Sequence, residues 1–120
     1  MFASVNDGVV KNLILANGSI TGNEPTFIGS FCGTINNGLI SRCLSYLDVT
    51  NTINGGRAGG IVGVCSSSNV RSMLYSCGFY GTVTAEIPQQ MIAENGTISG
   101  TTTDSCAVYR PKNEGAFGVL

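Results

Sequence analysis

The sequence repeats itself, and this self-similarity constrains the fold more than any single motif does. The pattern Cys-x-x-Tyr occurs at residues 43–46, 77–80 and 106–109, and residues 13–16 fit it as an apolar version. Counted from Leu13, the successive copies therefore begin at positions 43, 77 and 106. Intervals of roughly 29–34 residues fall within the range of about 20–50 that is typical of solenoid repeats, whose single units cannot bury an apolar face and must stack.

Other positions follow the same frame. Residues 33–43, GTINNGLISRC, match residues 96–106, GTISGTTTDSC, without a gap. Glycine-bounded runs recur as TFIG at 26–29, GIVG at 60–63 and GAFG at 115–118. An apolar pair precedes the cysteine position in three copies, as Val9-Val10, Leu39-Ile40 and Met73-Leu74. The frame predicts two interior ladders of stacked residues, one of Leu13, Cys43, Cys77 and Cys106 and the other of Val5, Ile35, Val70 and Ile98.

Each copy contains about three short apolar runs separated by Gly, Asn and Ser, with Asn-Gly turns at 17–18, 37–38, 54–55 and 95–96. A chain that returns to the same place every ~30 residues, with three strands per turn, predicts a parallel β-solenoid. Coils are expected at 1–26, 27–59, 60–88 and 89–114, with 115–120 as the truncated start of the next. We expect one solenoid domain, which is a fragment of a larger array.

The stretch 85–94, AEIPQQMIAE, is the least repeat-like part of the chain. Pro88 cannot donate a backbone hydrogen bond, which argues against a central position in a ladder. We therefore expect a loop or a short helical excursion between the third and fourth coils.

Charge is scarce, at 11% of residues with a formal net charge of -1, so no basic surface points to nucleic acid or to an anionic membrane. No apolar run approaches the ~20 residues of a membrane helix, and the N-terminal stretch shows no signal peptide. Gly, Ser, Thr and Asn fill the deficit in charge, and this composition favours an all-β protein with many turns.

Residues 59–85, GGIVGVCSSSNVRSMLYSCGFYGTVTA, resemble a GLUG repeat, and residues 7–22 resemble the entry coil of such arrays. The resemblance covers most of residues 6–85. It implies an all-β, right-handed parallel β-helix (a β-solenoid) of about four coils, each of roughly 29–34 residues. It also implies a place in large secreted or surface proteins of bacteria, among them adhesins and the stalks of immunoglobulin A-cleaving metallopeptidases. The expected location is therefore extracellular or at the cell surface.

The chain contains no histidine, which removes Ser-His-Asp and Cys-His nucleophile systems and histidine-based metal sites. The His-Glu zinc motif of the associated peptidases is missing as well. We therefore expect no enzyme activity, no catalytic or metal-binding residue and no cofactor.

Five cysteines could form a metal or redox site, but no CxxC pair exists. The repeat frame favours interior stacking, with Cys32 and Cys65 forming a second ladder, because free cysteine is often a small buried filler. Disulfides between neighbouring coils and a metal site remain as alternatives. The cysteines are Cys32, Cys43, Cys65, Cys77 and Cys106.

A glycosidase or lyase on a β-helix would concentrate its acids on one sheet face. Asp48 is followed at repeat spacing by Thr82, so no acidic ladder emerges, and the basic residues are dispersed as well. Tyr46, Tyr80 and Tyr109 share one repeat position, where they could form a stacking platform for sugars; we favour rings that fill a corner of the coil. The carboxylates are Asp7, Glu24, Asp48, Glu86, Glu94, Asp104 and Glu114.

The function that the sequence predicts is a non-catalytic structural or adhesive segment of a secreted or surface protein. One alternative is a carbohydrate-active β-helix whose site is completed by missing sequence. Another is a self-assembling fibre segment that associates through its open ends. The expected partners are a host or matrix protein or a glycan, together with neighbouring coils or further copies of the chain; neither nucleic acid nor membrane insertion is expected.

Overall fold

The structure, a computed structural model, describes the backbone of residues 1–66 and 71–89 and of short segments at 92–95, 97–98, 101–104 and 106–109. Side chains are described for residues 1–66 and 71–86. All regular structure in these segments is β-strand, with no helix. The prediction of an all-β chain is therefore confirmed for the described residues.

The strands are short and fall into four successive repeats. The first repeat contains β1 (Phe2–Asn6), β2 (Val9–Lys11), β3 (Ile14–Leu15), β4 (Ser19–Thr21) and β5 (Phe27–Gly29). The second contains β6 (Cys32–Asn36), β7 (Leu39–Ser41), β8 (Leu44–Ser45), β9 (Asp48–Asn51) and β10 (Arg57–Gly59). The third contains β11 (Val62–Cys65), β12 (Ser72–Tyr75), β13 (Gly78–Phe79), β14 (Val83–Ala85) and β15 (Ile87–Gln89). The fourth contains β16 (Ile92–Asn95), β17 (Thr97–Ile98), β18 (Thr101–Asp104) and β19 (Cys106–Tyr109).

Strands from successive repeats pair in parallel to form five sheets. Sheet A has the order β1-β6-β11-β16, sheet B β2-β7-β12-β19, sheet C β3-β8-β13, sheet D β4-β9-β14 and sheet E β5-β10-β15. Each of the first three repeats gives one strand to each sheet, in the same order along the chain. The expected three strands per repeat is therefore wrong, because turns divide the longer apolar runs into five strands.

The register between repeats is nearly constant. Phe2 pairs with Cys32 in sheet A, whereas Leu39 pairs with Met73 in sheet B. The interval in sheet B is longer by four residues, and these extra residues lie between β11 and β12. In the fourth repeat an antiparallel pair, β17 with β18, stands at the same place between β16 and β19. Differences in repeat length are therefore accommodated in the segments between strands, and the parallel pairing within the sheets is kept.

Left-handed backbone conformations mark the same turns in successive repeats. Between sheets A and B, Asp7 has a φ of 49° and Asn37 a φ of 50°, and between sheets B and C, Asn12, Arg42 and Ser76 have φ values of 51–56°. This conformation cannot continue an extended strand. Asn and Asp tolerate it best among non-glycine residues, and Asn37 Nδ2 also donates to Asp7 Oδ1 at 2.5 Å.

Alternating side chains face a buried apolar cluster. In β12, Ser72 and Leu74 are buried while Met73 and Tyr75 are exposed, which is the two-residue period of a strand. The cluster takes residues from all five sheets of the described part of the chain. Its buried members are Val5, Leu15, Phe31, Cys32, Ile35, Ile40, Cys43, Leu47, Val49, Ala58, Ile61, Val62, Cys65, Leu74, Cys77 and Phe79.

The predicted ladder that begins with Val5 and Ile35 is correct for these two residues and wrong for its later members. Ile35 pairs with Cys65, and Cys65 pairs with Asn95. Ile98 instead lies in β17, which pairs with β18, and the predicted member Val70 lies outside the described residues. The four extra residues of the third repeat come after Cys65. A repeat frame that counts them before Cys65 therefore predicts the wrong partners for the residues of sheet A.

The fourth cysteine also lies in a different register from the prediction. Cys106 pairs with Ser72 rather than following Cys77, and Val108 pairs with Leu74. Leu74 is fully buried, and the Cys-x-x-Tyr pattern predicts the polar Thr103 opposite it. The observed register instead places the apolar Val108 opposite Leu74, as expected where the apolar pattern sets the register.

The predicted loop or helical excursion at 85–94 is wrong. Residues 87–89 form β15, in which Pro88 pairs with Ala58, and residues 92–95 form β16, which extends sheet A. Among the described strands β15 ends sheet E. An end strand tolerates proline because its outer side needs no donor.

Candidate functional site

The acidic side chains of the described residues make local contacts rather than a common site. Asp48 Oδ1 accepts hydrogen bonds from Thr82 Oγ1 at 2.7 Å and from Thr82 N at 3.0 Å. Both bonds lower the pKa of the fully exposed Asp48 carboxyl, because they stabilise its charged form. The Glu86 carboxylate accepts a hydrogen bond from Gly55 N. Asp48 and Thr82 are therefore neighbours, as the repeat frame predicted, and the contact ties the second repeat to the third.

Within the part of the chain that the structure describes, no group of three or more Cys, Asp or Glu side chains is arranged to hold a metal ion. The side chains of Glu94, Asp104 and Glu114 lie outside that part. The described segments also contain no helix that is long and apolar enough to cross a membrane.

Cys43 and Cys77 stack as neighbours in the second and third repeats, as predicted. Both are free thiols, buried to 0% and 2% exposure. Cys43 Sγ also donates to Ser41 O at 3.3 Å and Cys77 Sγ to Ile40 O at 3.3 Å. The contact with Cys43 and burial both raise the pKa of the Cys77 thiol, so Cys77 stays protonated at ordinary pH.

Cys32 and Cys65 do not form the second ladder that the sequence frame predicts. Both are fully buried, but Val62 pairs with Cys32 while Cys65 pairs with Ile35. The two thiols therefore occupy different positions along sheet A. The predicted alignment of the glycine-bounded runs is wrong in the same way, because Gly29 pairs with Gly59 and not with Gly63.

Tyr46 and Tyr80 form an exposed aromatic stack at the ends of β8 and β13. Their ring centroids are 5.2 Å apart with 20° between the ring planes, and the side chains are 45% and 46% exposed. The equivalent first-repeat position holds Ala16, whose small side chain does not extend the stack. The backbone of Tyr109 pairs with that of Tyr75 in sheet B, so its sheet position differs from that of Tyr46 and Tyr80.

An apolar groove of about 360 Å³ lies against β5. Its walls include Phe2 from β1, Ile20 from β4, and Phe27 and Ile28 from β5. Arg57 of the neighbouring strand lies over the Phe27 ring at 5.3 Å from its centroid, which holds the ring in place at the edge of the groove.

The backbone ladder beside this groove continues to the first residue. Phe2 N donates to Phe31 O at 2.7 Å, and the Met1 ammonium donates to Ser30 O at 2.8 Å. Partial burial lowers the pKa of that ammonium, since desolvation disfavours the charged form. The Met1 nitrogen therefore occupies the place that a peptide N–H takes in the other repeats.

Sequence patterns did not lead to the groove. The strand that lines the groove does recur in the sequence, as Phe27-Ile28-Gly29 and again as Arg57-Ala58-Gly59. These two segments pair residue by residue in sheet E, at the same interval as Phe2 and Cys32 in sheet A. The similarity of TFIG to GIVG predicts a different pairing, which the structure does not have.

Comparison of the chain with protein-family models, with curated proteins and with solved structures gave no match.

Proposed function

We propose that this chain is a segment of a right-handed parallel β-helix of the GLUG-repeat type, and that it serves as a non-catalytic structural and adhesive element of a secreted or surface protein of bacteria. The observation that carries the proposal is the common register of the five parallel sheets. Paired residues belong to successive repeats in every sheet, as do Ser19 and Asp48 in sheet D and Leu39 and Met73 in sheet B.

This arrangement supports a structural role because the stabilising contacts run along the stack. Sheets that pair repeat by repeat bury their apolar faces only against neighbouring repeats, and such arrays form long, rigid supports. The exposed positions of the described residues include many Thr, Ser and Asn side chains, which present hydroxyl and amide groups for hydrogen bonds to a partner.

The exposed stack of Tyr46 and Tyr80 supports an adhesive role with a glycan as the partner. A pyranose ring has apolar faces of C–H groups that pack on tyrosine rings, while the tyrosine hydroxyls can hydrogen-bond to sugar hydroxyls. The register of β3 with β8 places Ala16 one repeat before Tyr46, and the small alanine side chain does not extend the stack on that side. Tyr46 is therefore the proposed contact residue.

A glycan array probed with the purified 120-residue protein tests the adhesive role. We expect binding to at least one glycan class, weakened about tenfold or more by Tyr46→Ala, which corresponds to the ~1.4 kcal/mol of one aromatic contact. Tyr75→Ala is the matched control, since Tyr75 is 43% exposed but lies on sheet B outside the stack. Equal losses in the two variants would contradict the site.

Two further measurements test the rest of the proposal. Antibody labelling of intact producing cells should detect the segment at the surface. Incubation of the pure protein with the same glycans should give no products; turnover would replace the adhesive role by the carbohydrate-active alternative.

A further inference from the structure

The turn between β9 and β10 carries an Asn-Gly pair that the proposed function does not use. Gly56 N donates to Ile53 O at 2.7 Å and closes a turn with Asn54 and Gly55 at its centre. Both central residues are exposed. Gly55 has a φ of 78°, a conformation that a residue without a Cβ adopts readily. The pair therefore lies at an open turn, where no side chain on Gly55 shields its nitrogen.

A carboxylate from the third repeat contacts this turn. The Glu86 side chain accepts a hydrogen bond from Gly55 N, and Glu86 is itself exposed. A carboxylate within hydrogen-bond reach of an N–H group has the geometry of a general base. The proton that Glu86 contacts belongs to the backbone nitrogen that directly follows Asn54, and this nitrogen is the group that can attack the Asn54 side chain.

We propose that Asn54-Gly55 is a self-modification site, at which Glu86 acts as the general base for deamidation of Asn54. Glu86 takes the proton of Gly55 N while this nitrogen attacks Asn54 Cγ. The Asn54 Cγ–Nδ2 bond breaks, the proton passes to the leaving nitrogen, and ammonia departs from a cyclic succinimide. Water then opens the succinimide and leaves either aspartate or isoaspartate at this position. This chemistry depends on neither the adhesive role nor the repeat family.

The Asn-Gly pair of the second repeat that precedes β7 is held in a different way. Gly38 is buried, and its nitrogen donates to Ser72 Oγ at 3.2 Å. Asn37 Nδ2 donates to Asp7 Oδ1 at 2.5 Å. These two bonds fix both reacting groups, so folding should protect Asn37 from deamidation. Gly96, which belongs to the fourth Asn-Gly pair of the chain, lies outside the described residues.

Asn17-Gly18 provides the comparison for exposure alone. Both residues are exposed, and Gly18 has a φ of 125°. In the part of the chain that the structure describes, the carboxylates accept hydrogen bonds from Asn37, Gly55 and Thr82, and Gly18 is not among these donors. In the folded protein we therefore expect deamidation to be fastest at position 54, slower at position 17 and slowest at position 37.

The product would change a contact between the second and third repeats. Deamidation adds a negative charge to a turn that already contacts the Glu86 carboxylate, and like charges repel. Isoaspartate also lengthens the main chain of the turn by one carbon atom. Modification at Asn54 should therefore weaken the hydrogen bond between Gly55 N and Glu86.

Peptide mapping by mass spectrometry of the 120-residue protein, incubated at pH 7 with and without denaturing urea, tests the proposal. The rate at each pair without urea is divided by the rate of the same pair in urea, which removes the effect of local sequence. We expect this ratio to be about tenfold or more higher for Asn54 than for Asn17, as a positioned general base requires. The ratio for Asn37 should be the lowest of the three.

Glu86→Gln distinguishes a base from a restraint, because glutamine keeps an acceptor oxygen for Gly55 N but is not a base. We expect this variant to slow conversion of Asn54 about tenfold or more and to leave Asn17 unchanged. If Glu86 only held the turn in place, its replacement would free the turn and speed the conversion.

Glu24→Gln is the matched control. Glu24 is exposed and precedes Pro25, whose Cβ would lie 3.6 Å from a Cβ on Gly55, so the variant removes the same charge close to the turn. It should leave the rate at Asn54 unchanged, and circular dichroism establishes that both variants are folded. Conversion of Asn54 that Glu86→Gln does not slow, equal slowing by Glu24→Gln, or a ratio for Asn54 no higher than that for Asn17 would overturn the proposal.

Discussion

The buried thiols of Cys43 and Cys77 lie in neighbouring repeats, and each donates a hydrogen bond to a backbone carbonyl of the second repeat, Cys43 to Ser41 O and Cys77 to Ile40 O, both at 3.3 Å. Because these bonds satisfy both thiols inside the apolar cluster, the pair acts as a small filler between repeats.

Stability should fall at high pH because of Cys77. Its folded pKa is raised above the ordinary thiol value of 9.0, so the unfolded chain loses this proton first as the pH rises. The stability contributed is complete below pH 9 and decreases above it, with a limiting slope of about 1.4 kcal/mol per pH unit. Urea unfolding at pH 7, 9 and 10 measures this. Cys77→Ser, which does not titrate there, should show a smaller decrease; parallel curves would contradict the assignment.

Gly63→Ala should destabilise the protein by at least about 2 kcal/mol. A Cβ at this position would lie 2.5 Å from Gly33 O and 2.8 Å from Ile28 N, and backbone atoms cannot move aside as side chains do. Gly8→Ala is the control, since its nearest neighbours would be 3.5 Å away, and it should change stability by less than about 1 kcal/mol. Chemical denaturation of both variants distinguishes them. Equal effects would show that close approach at Gly63 is not required.

Ile35→Ala should cost about 2–5 kcal/mol, the range for truncating a fully buried side chain. Ile35 is 0% exposed and pairs with Val5 on one side and Cys65 on the other, so the cavity would lie inside the stack. Ile14→Ala removes the same atoms from a side chain that is 59% exposed and should cost less than about 1 kcal/mol. A difference below about 1 kcal/mol between the variants, measured by urea unfolding, would be incompatible with this burial.

Thr82→Val should raise the pKa of Asp48 towards its ordinary value, because the hydroxyl donor is lost while the Thr82 N–H donor remains. A lowered carboxyl pKa in the folded state stabilises the protein above the ordinary pKa, and this stabilisation is lost as the pH falls through the lowered value. Carboxyl chemical shifts followed by NMR titration report the change directly. Thr84→Val, an exposed change in the next strand, should leave the Asp48 titration where it is.

The period of the structure could be predicted because it depends on local sequence. The apolar pair Val9-Val10 recurs one repeat later as Leu39-Ile40, and the two pairs do lie side by side in sheet B. The same holds for the cysteine position of the second and third repeats. In each apolar pair the second residue faces the apolar cluster, since Ile40 is fully buried and Val10 packs against the cluster while Val9 is exposed, so the register that pairs them keeps the same face inside.

The register of later residues could not be predicted from the Cys-x-x-Tyr pattern. Cys106 and Tyr109 keep the pattern but shift along the sheet, because Val108 must pair with the buried Leu74. Pro88 similarly predicts a break in a strand, whereas it is acceptable in β15, which ends sheet E among the described strands. In both cases the deciding fact is which strand lies beside the residue, and a single sequence does not contain it.

By itself the sequence determined that the chain is all-β, that it repeats at an interval of roughly 30 residues, and that Cys43 and Cys77 are neighbours, since periodic apolar residues can be buried only by stacking. Tertiary structure decided where the length differences fall and which residues pair in the later ladders of sheets A and B. It also placed Pro88 in β15, which ends sheet E among the described strands, because strand order in space is a property that a single sequence does not contain.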